Sequence, residues 1–177
     1  MKGLKRIYLF VLAVVLAVSV FAFVGCEKKE GKALSGSMKI VITPDTDTQA
    51  TVIDVDLDGF TDADSVMDVI DKLAADGKIC YKGNNGVYGM YFTAIGVPVQ
   101  SEYGPQDAYI LEENVSERKS LYTYTNVESD ILETKPDAEY QAKTVEYEGQ
   151  TLTESMFAVS SMSICDGAII YFTYIIW

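Results

Sequence analysis

The segment Ile169–Ile176 (IIYFTYII) constrains this chain more than any other stretch. Its β-branched and aromatic residues favour an extended strand. Apolar side chains stand at both odd and even positions, so neither face can be left to water, and the segment is expected as a central strand covered on both sides. Residues 38–43 (MKIVIT) read as a first strand, ended by Pro44-Asp45, and residues 50–57 (ATVIDVDL) as a second. In the second, Val55 and Leu57 alternate with Asp54, Asp56 and Asp58, the period of a half-buried strand, and the two together make a hairpin.

A helix is expected over residues 62–75, where Val66, Val69, Ile70 and Leu73 fall at i, i+3, i+4 and i+7 on one stripe. Thr61 or Asp62 would cap its start and Gly77 follows its end. Residues 79–81 and 87–95 read as another hairpin, turning through Gly83-Asn84-Asn85-Gly86. Residues 96–104 and 128–142 read as loops, and residues 107–111, 121–127 and 144–147 as further strands. One helix on a mostly antiparallel sheet is an α+β layer arrangement of the β-grasp-like kind.

The N-terminus is built differently. Lys2, Lys5 and Arg6 precede eighteen uncharged residues, 7–24, and Gly25-Cys26 then gives way to Glu-Lys-Lys-Glu. A basic start, an apolar stretch and a small residue at the cut form an export signal over residues 1–25. Cys26 stands where a bacterial lipoprotein is acylated, although Phe23 and Val24 depart from the usual processing motif. The alternative is an uncleaved membrane anchor, since eighteen helical residues span ~27 Å. Either way the basic end stays in the cytoplasm, and the rest is expected at the outer face of the cytoplasmic membrane. Residues 26–37 read as a flexible tether and residues 38–177 as the domain.

Three of the 14 basic residues lie before Cys26 and none of the 26 acidic ones does, so the exported part has a net charge of −15. That surface argues against nucleic acid and anionic headgroups as partners. The chain has no histidine, the commonest general base and metal ligand. Ser160 and Ser161 therefore lack a base, and no phosphate-cradling loop or paired Cys-x-x-Cys occurs. The expectation is a binding protein, not an enzyme. Cys80 and Cys165 are either bridged or two free thiols.

Four landmarks carry a family resemblance: residues 64–70 (DSVMDVI), residues 86–96 (GVYGMYFTAIG), residues 122–126 (YTYTN) and residues 159–167 (VSSMSICDG) before a Tyr-Phe-Thr-Tyr strand. Over residues 39–174 the chain resembles a bacterial domain family of unknown function related to the C-terminal β-domain of transcobalamin and intrinsic factor. The resemblance implies an α+β domain and, by analogy, a corrinoid such as cobalamin as ligand. The helical barrel that shares cobalamin with this domain in transcobalamin is absent.

Two residue sets could bind something. Asp54-x-Asp56-x-Asp58-Gly59 has the carboxylate spacing that opens a calcium loop, yet it is also what the water-facing side of a strand looks like. Extending the loop puts Ser65 where a bidentate Glu belongs. Tyr88, Tyr91, Tyr103, Tyr109, Tyr122 and Tyr124 form either an exposed aromatic platform or core and cross-strand pairs. Tyr103, Tyr109 and Tyr122 are the candidate ligand contacts, with Tyr103 in the most loop-like surroundings. Two functions fit. One is a lipoprotein that binds a small ligand, with cobalamin or Ca²⁺ as the cofactors raised. The other is a cell-surface module that binds an envelope protein.

Overall fold

A computed structural model describes residues 31–45, 49–133 and 139–176. The expected export signal, Cys26 and the first part of the expected tether lie outside the described residues. Eleven strands and one α-helix follow in the order β1 (Ser37–Ile42), β2 (Thr51–Asp56), α1 (Val66–Ala75), β3 (Cys80–Gly86), β4 (Gly89–Gly96), β5 (Val99–Ser101), β6 (Gly104–Gln106), β7 (Tyr109–Glu112), β8 (Lys119–Thr125), β9 (Thr144–Tyr147), β10 (Gln150–Glu154) and β11 (Ile169–Ile176) among the described residues. The main sheet has the order β2-β1-β11-β8-β10-β9. Only its β1–β11 pair is parallel. A hairpin, a helix and a last strand laid parallel beside the first give the α+β, β-grasp-like core expected from the sequence.

The C-terminal strand is central, as its two apolar faces require. Ile170 and Phe172 point into the main core with Met38, Ile40 and Ile42 of β1 and with Val66, Val69, Ile70 and Leu73 of α1. Ile169 and Tyr171 point the other way and pack with Val41, Tyr124 and Leu152. The small sheet β3-β4-β7 closes the main core, its Phe92 ring 5.7 Å from that of Phe172. Burying side chains of this size is worth roughly 1.5–3 kcal/mol each, which is what holds the layers together.

The helix starts at Val66, with the first residue of its apolar stripe and four residues later than the expected start at 62. Ser65 is the N-cap in a capping box with Asp68, whose side chain accepts from the Ser65 N–H at 2.8 Å. Thr61 and Asp62 do not cap it. Residues 61–64 form their own turn, in which Asp64 Oδ2 accepts from both the N–H and the hydroxyl of Thr61.

The second hairpin also differs from expectation. Gly83-Asn84-Asn85-Gly86 is not its turn, for β3 runs on to Gly86 and the chain reverses at Val87-Tyr88. Gly83 serves a close approach instead. A Cβ there would lie 2.7 Å from the Tyr91 carbonyl and 2.8 Å from Met90 Sδ, beside a register shift at Lys82/Gly83. The expected loop at 96–104 contains half of a small hairpin, β5–β6, with Tyr103 in its turn. A further strand, β10, follows the turn at Glu148-Gly149.

Residues 31–37, assigned to the tether by composition, are bonded to the domain. Leu34 N–H donates to the Phe60 carbonyl, Asp62 N–H to the Lys32 carbonyl and Leu57 N–H to the Gly36 carbonyl.

Candidate functional site

The turn Val87-Tyr88 projects beside the loop 155–163, and between them lies an open groove of about 660 Å³ lined by Val87, Tyr88, Gly89, Tyr91, Met156, Phe157 and Ser161. Five of these are large and apolar, yet all five are exposed, Val87 at 96% and Tyr88 at 79%. Scattered exposed apolar residues are ordinary, whereas a contiguous set around one concavity is the kind of surface that makes this groove the candidate site.

Both walls are held in place. Gly89 has φ +115°, and Met90 N–H donates to Ser160 Oγ at 2.9 Å, which fastens the hairpin to the loop. The loop is held from three further directions. The free N–H groups of Val66 and Met67, in the first turn of α1, donate to the carbonyls of Met162 and Val159, each at 3.0 Å. Asp130, buried at 1% exposure, accepts from Ser163 N–H at 2.6 Å and from Ser163 Oγ at 3.1 Å. The Asp130 carbonyl accepts from Met156 N–H at 3.0 Å. Ser155 Oγ accepts from Phe157 N–H at 3.1 Å and sets the approach to the Phe157 side chain. The groove is thus lined by apolar groups whose backbone is already ordered, which lowers the entropic cost of binding.

The predicted ligand tyrosines do not come together. Tyr103 is 90% exposed at the β5–β6 turn. Tyr109, on β7, is half-buried, donates to Asp107 Oδ2 at 2.9 Å and has Lys82 Nζ 4.3 Å from its ring centroid. Tyr122, on β8, packs on the second face of the main sheet, with Lys143 Nζ 5.4 Å from its ring. Each stands on a different sheet, so a single six-tyrosine platform does not form. Tyr124 is buried, and burial first, then Glu154, pushes its phenol up to about 12. Tyr88 and Tyr91 are the members that reach the groove. Met156 and Phe157 had no signal in the sequence, because their exposure depends on what fails to cover them.

Asp54 and Asp56 are exposed residues of β2, paired opposite Lys39 and Ser37 of β1. Asp56 Oδ1 accepts from the Asp58 N–H at 2.9 Å, a local turn contact. Among the described residues no three His, Cys, Asp or Glu side chains converge to hold a metal ion. Cys80 and Cys165 are free, one buried and one exposed, so the bridged alternative does not occur. Burial raises both thiol pKa values above the ordinary range, and at Cys165 the nearby Asp130 and Asp166 add to it.

No protein-family model and no curated protein matches the chain. Among solved structures it is similar to a protein from Ruminococcus gnavus described as a "putative metal binding protein", with 13% sequence identity, a TM-score of 0.44, and coverage of 80% of this chain and 98% of that one.

Proposed function

We propose that the chain is a binding module, not an enzyme, anchored through Cys26 at the outer face of the cytoplasmic membrane, and that it binds in the groove between Val87-Tyr88 and Met156-Phe157. The observation that carries this reading is the set of five exposed apolar side chains around one concavity on an ordered backbone. Such a surface suits a partner that is apolar on at least one face, and the aromatic rings of Tyr88, Tyr91 and Phe157 favour a flat one. The absence of histidine from the sequence supports binding over catalysis.

The small-ligand form of this function is tested by thermal shift. Residues 27–177 are screened with cobalamin, cobinamide and Ca²⁺, keeping the bonded segment 31–37 in place. A rise in Tm with either corrinoid that disappears in Tyr88→Ser supports it. No shift at saturating corrinoid overturns it. A shift with Ca²⁺ that survives Tyr88→Ser would direct attention to Asp54, Asp56 and Asp58.

A further inference from the structure

The chain enters the domain at the end that carries the groove. Gly31 packs against the turn before α1, where a Cβ on it would lie 2.5 Å from Thr61 Oγ1 and 2.8 Å from the Ala63 nitrogen. That turn leads into the Ser65 cap, the first turn of α1 is bonded to Val159 and Met162, and Ser160 between them holds Met90 of the hairpin. The entry point, the helix N-terminus and both groove walls therefore form one connected end of the domain. Residues 32–36 are bonded to residues 57–62, and five residue steps separate Cys26 from Gly31, a length of at most ~17 Å.

From this geometry we propose that the groove's partner is a lipid surface: its rim, Val87, Tyr88, Met156 and Phe157, seats in the headgroup layer of the membrane to which the chain is tethered. The proposal rests on the anchored reading above and names the partner of that same site. Tyr, with an apolar ring and a polar tip, suits the membrane–water interface, while Val, Met and Phe suit the acyl boundary beneath it. The net charge of −15 gives no attraction to anionic lipid, so the contact is apolar, and on a zwitterionic surface it is insensitive to salt. A short tether also raises the local concentration of the rim at the bilayer, so a contact too weak to hold a free protein suffices.

The test uses the chain from Glu27 with an N-terminal histidine tag, held on nickel-chelating vesicles of phosphatidylcholine. The tag replaces the lipid on Cys26, so the outcome does not depend on acylation. Amide exchange is compared on the vesicle and in solution. The expected result is a slowing of about threefold or more over residues 86–91 and 156–161, with none over residues 144–154. The double variant Tyr88→Ser/Phe157→Ser, altered only at exposed side chains, should lose the slowing and keep its Tm. Unchanged exchange at both groove segments overturns the proposal, as does slowing that persists in the double variant. Protection of these segments by a corrinoid in solution, with none on vesicles, assigns the groove to a small ligand and also overturns it. The mass of Cys26 in the protein from its native membrane tests the anchor separately: an unmodified thiol refutes acylation and leaves the vesicle result standing.

Discussion

Replacing Gly89 with alanine should cost about 3 kcal/mol, about a third of it traceable to Ser160. At φ +115° a side chain is strained whatever the space, by roughly 2 kcal/mol. The new Cβ would also stand 2.3 Å from Ser160 Oγ and 3.1 Å from Ala158 Cβ. Ser160 must then withdraw from Met90 N–H, and losing a hydrogen bond of that kind costs about 1 kcal/mol. Ser160→Ala alone removes only the bond, about 1 kcal/mol. The double variant cannot lose the bond twice, so it should cost about 3 kcal/mol, against about 4 for the sum of the singles. Urea unfolding reads the cycle. With a slope of about 2 kcal/mol/M, Gly89→Ala moves the midpoint down by about 1.5 M without changing the slope. A loss below about 1 kcal/mol for Gly89→Ala, or strict additivity in the double variant, would refute the coupling between hairpin and loop on which the groove depends.

Three other outcomes follow from the same structure. Asp130→Ala should destabilise by about 2–3 kcal/mol in denaturant unfolding, because it leaves Ser163 N–H and Ser163 Oγ without their buried acceptor. Tyr81 donates to Asp71 Oδ1 at 2.6 Å, and that bond, followed by burial, pushes its pKa up to about 12. Its neutral form is favoured in the folded state, so this contribution to stability is full below pH 10 and is lost as pH rises through about 12. Ultraviolet titration should show Tyr81 ionising earlier in Asp71→Asn. In the chain from Glu27, a thiol reagent should modify Cys165 in the native state and Cys80 only after unfolding, and the Cys165 reaction should quicken above the ordinary thiol pKa.

Much of the fold was legible because it is written in short-range periodicity. Apolar residues on both faces of β11 predicted its central place, the alternation in β2 predicted its half-buried position, and the stripe Val66, Val69, Ile70 and Leu73 predicted the buried face of α1. The errors came where a residue type serves two purposes. Gly83, Asn84, Asn85 and Gly86 have turn chemistry, but β3 is an edge strand, where polar residues are tolerated and Gly83 lets β4 come close. Thr61 and Asp62 are good caps, yet Ser65 with Asp68 three residues on makes the more complete one.

The groove was legible only in part. Tyr88 and Tyr91 stood out as aromatic candidates, but Met156 and Phe157 lie far along the chain and meet them through the Met90–Ser160 bond and the anchoring of residues 159–163 on the N-terminus of α1. The sequence by itself determined the net acidic charge and which face of each strand and helix is apolar, since these depend on composition and local period alone. Only the tertiary structure decided which exposed apolar residues share a concavity and that residues 31–37 are bonded to the domain. Those facts depend on contacts between segments distant in sequence, which no local pattern encodes.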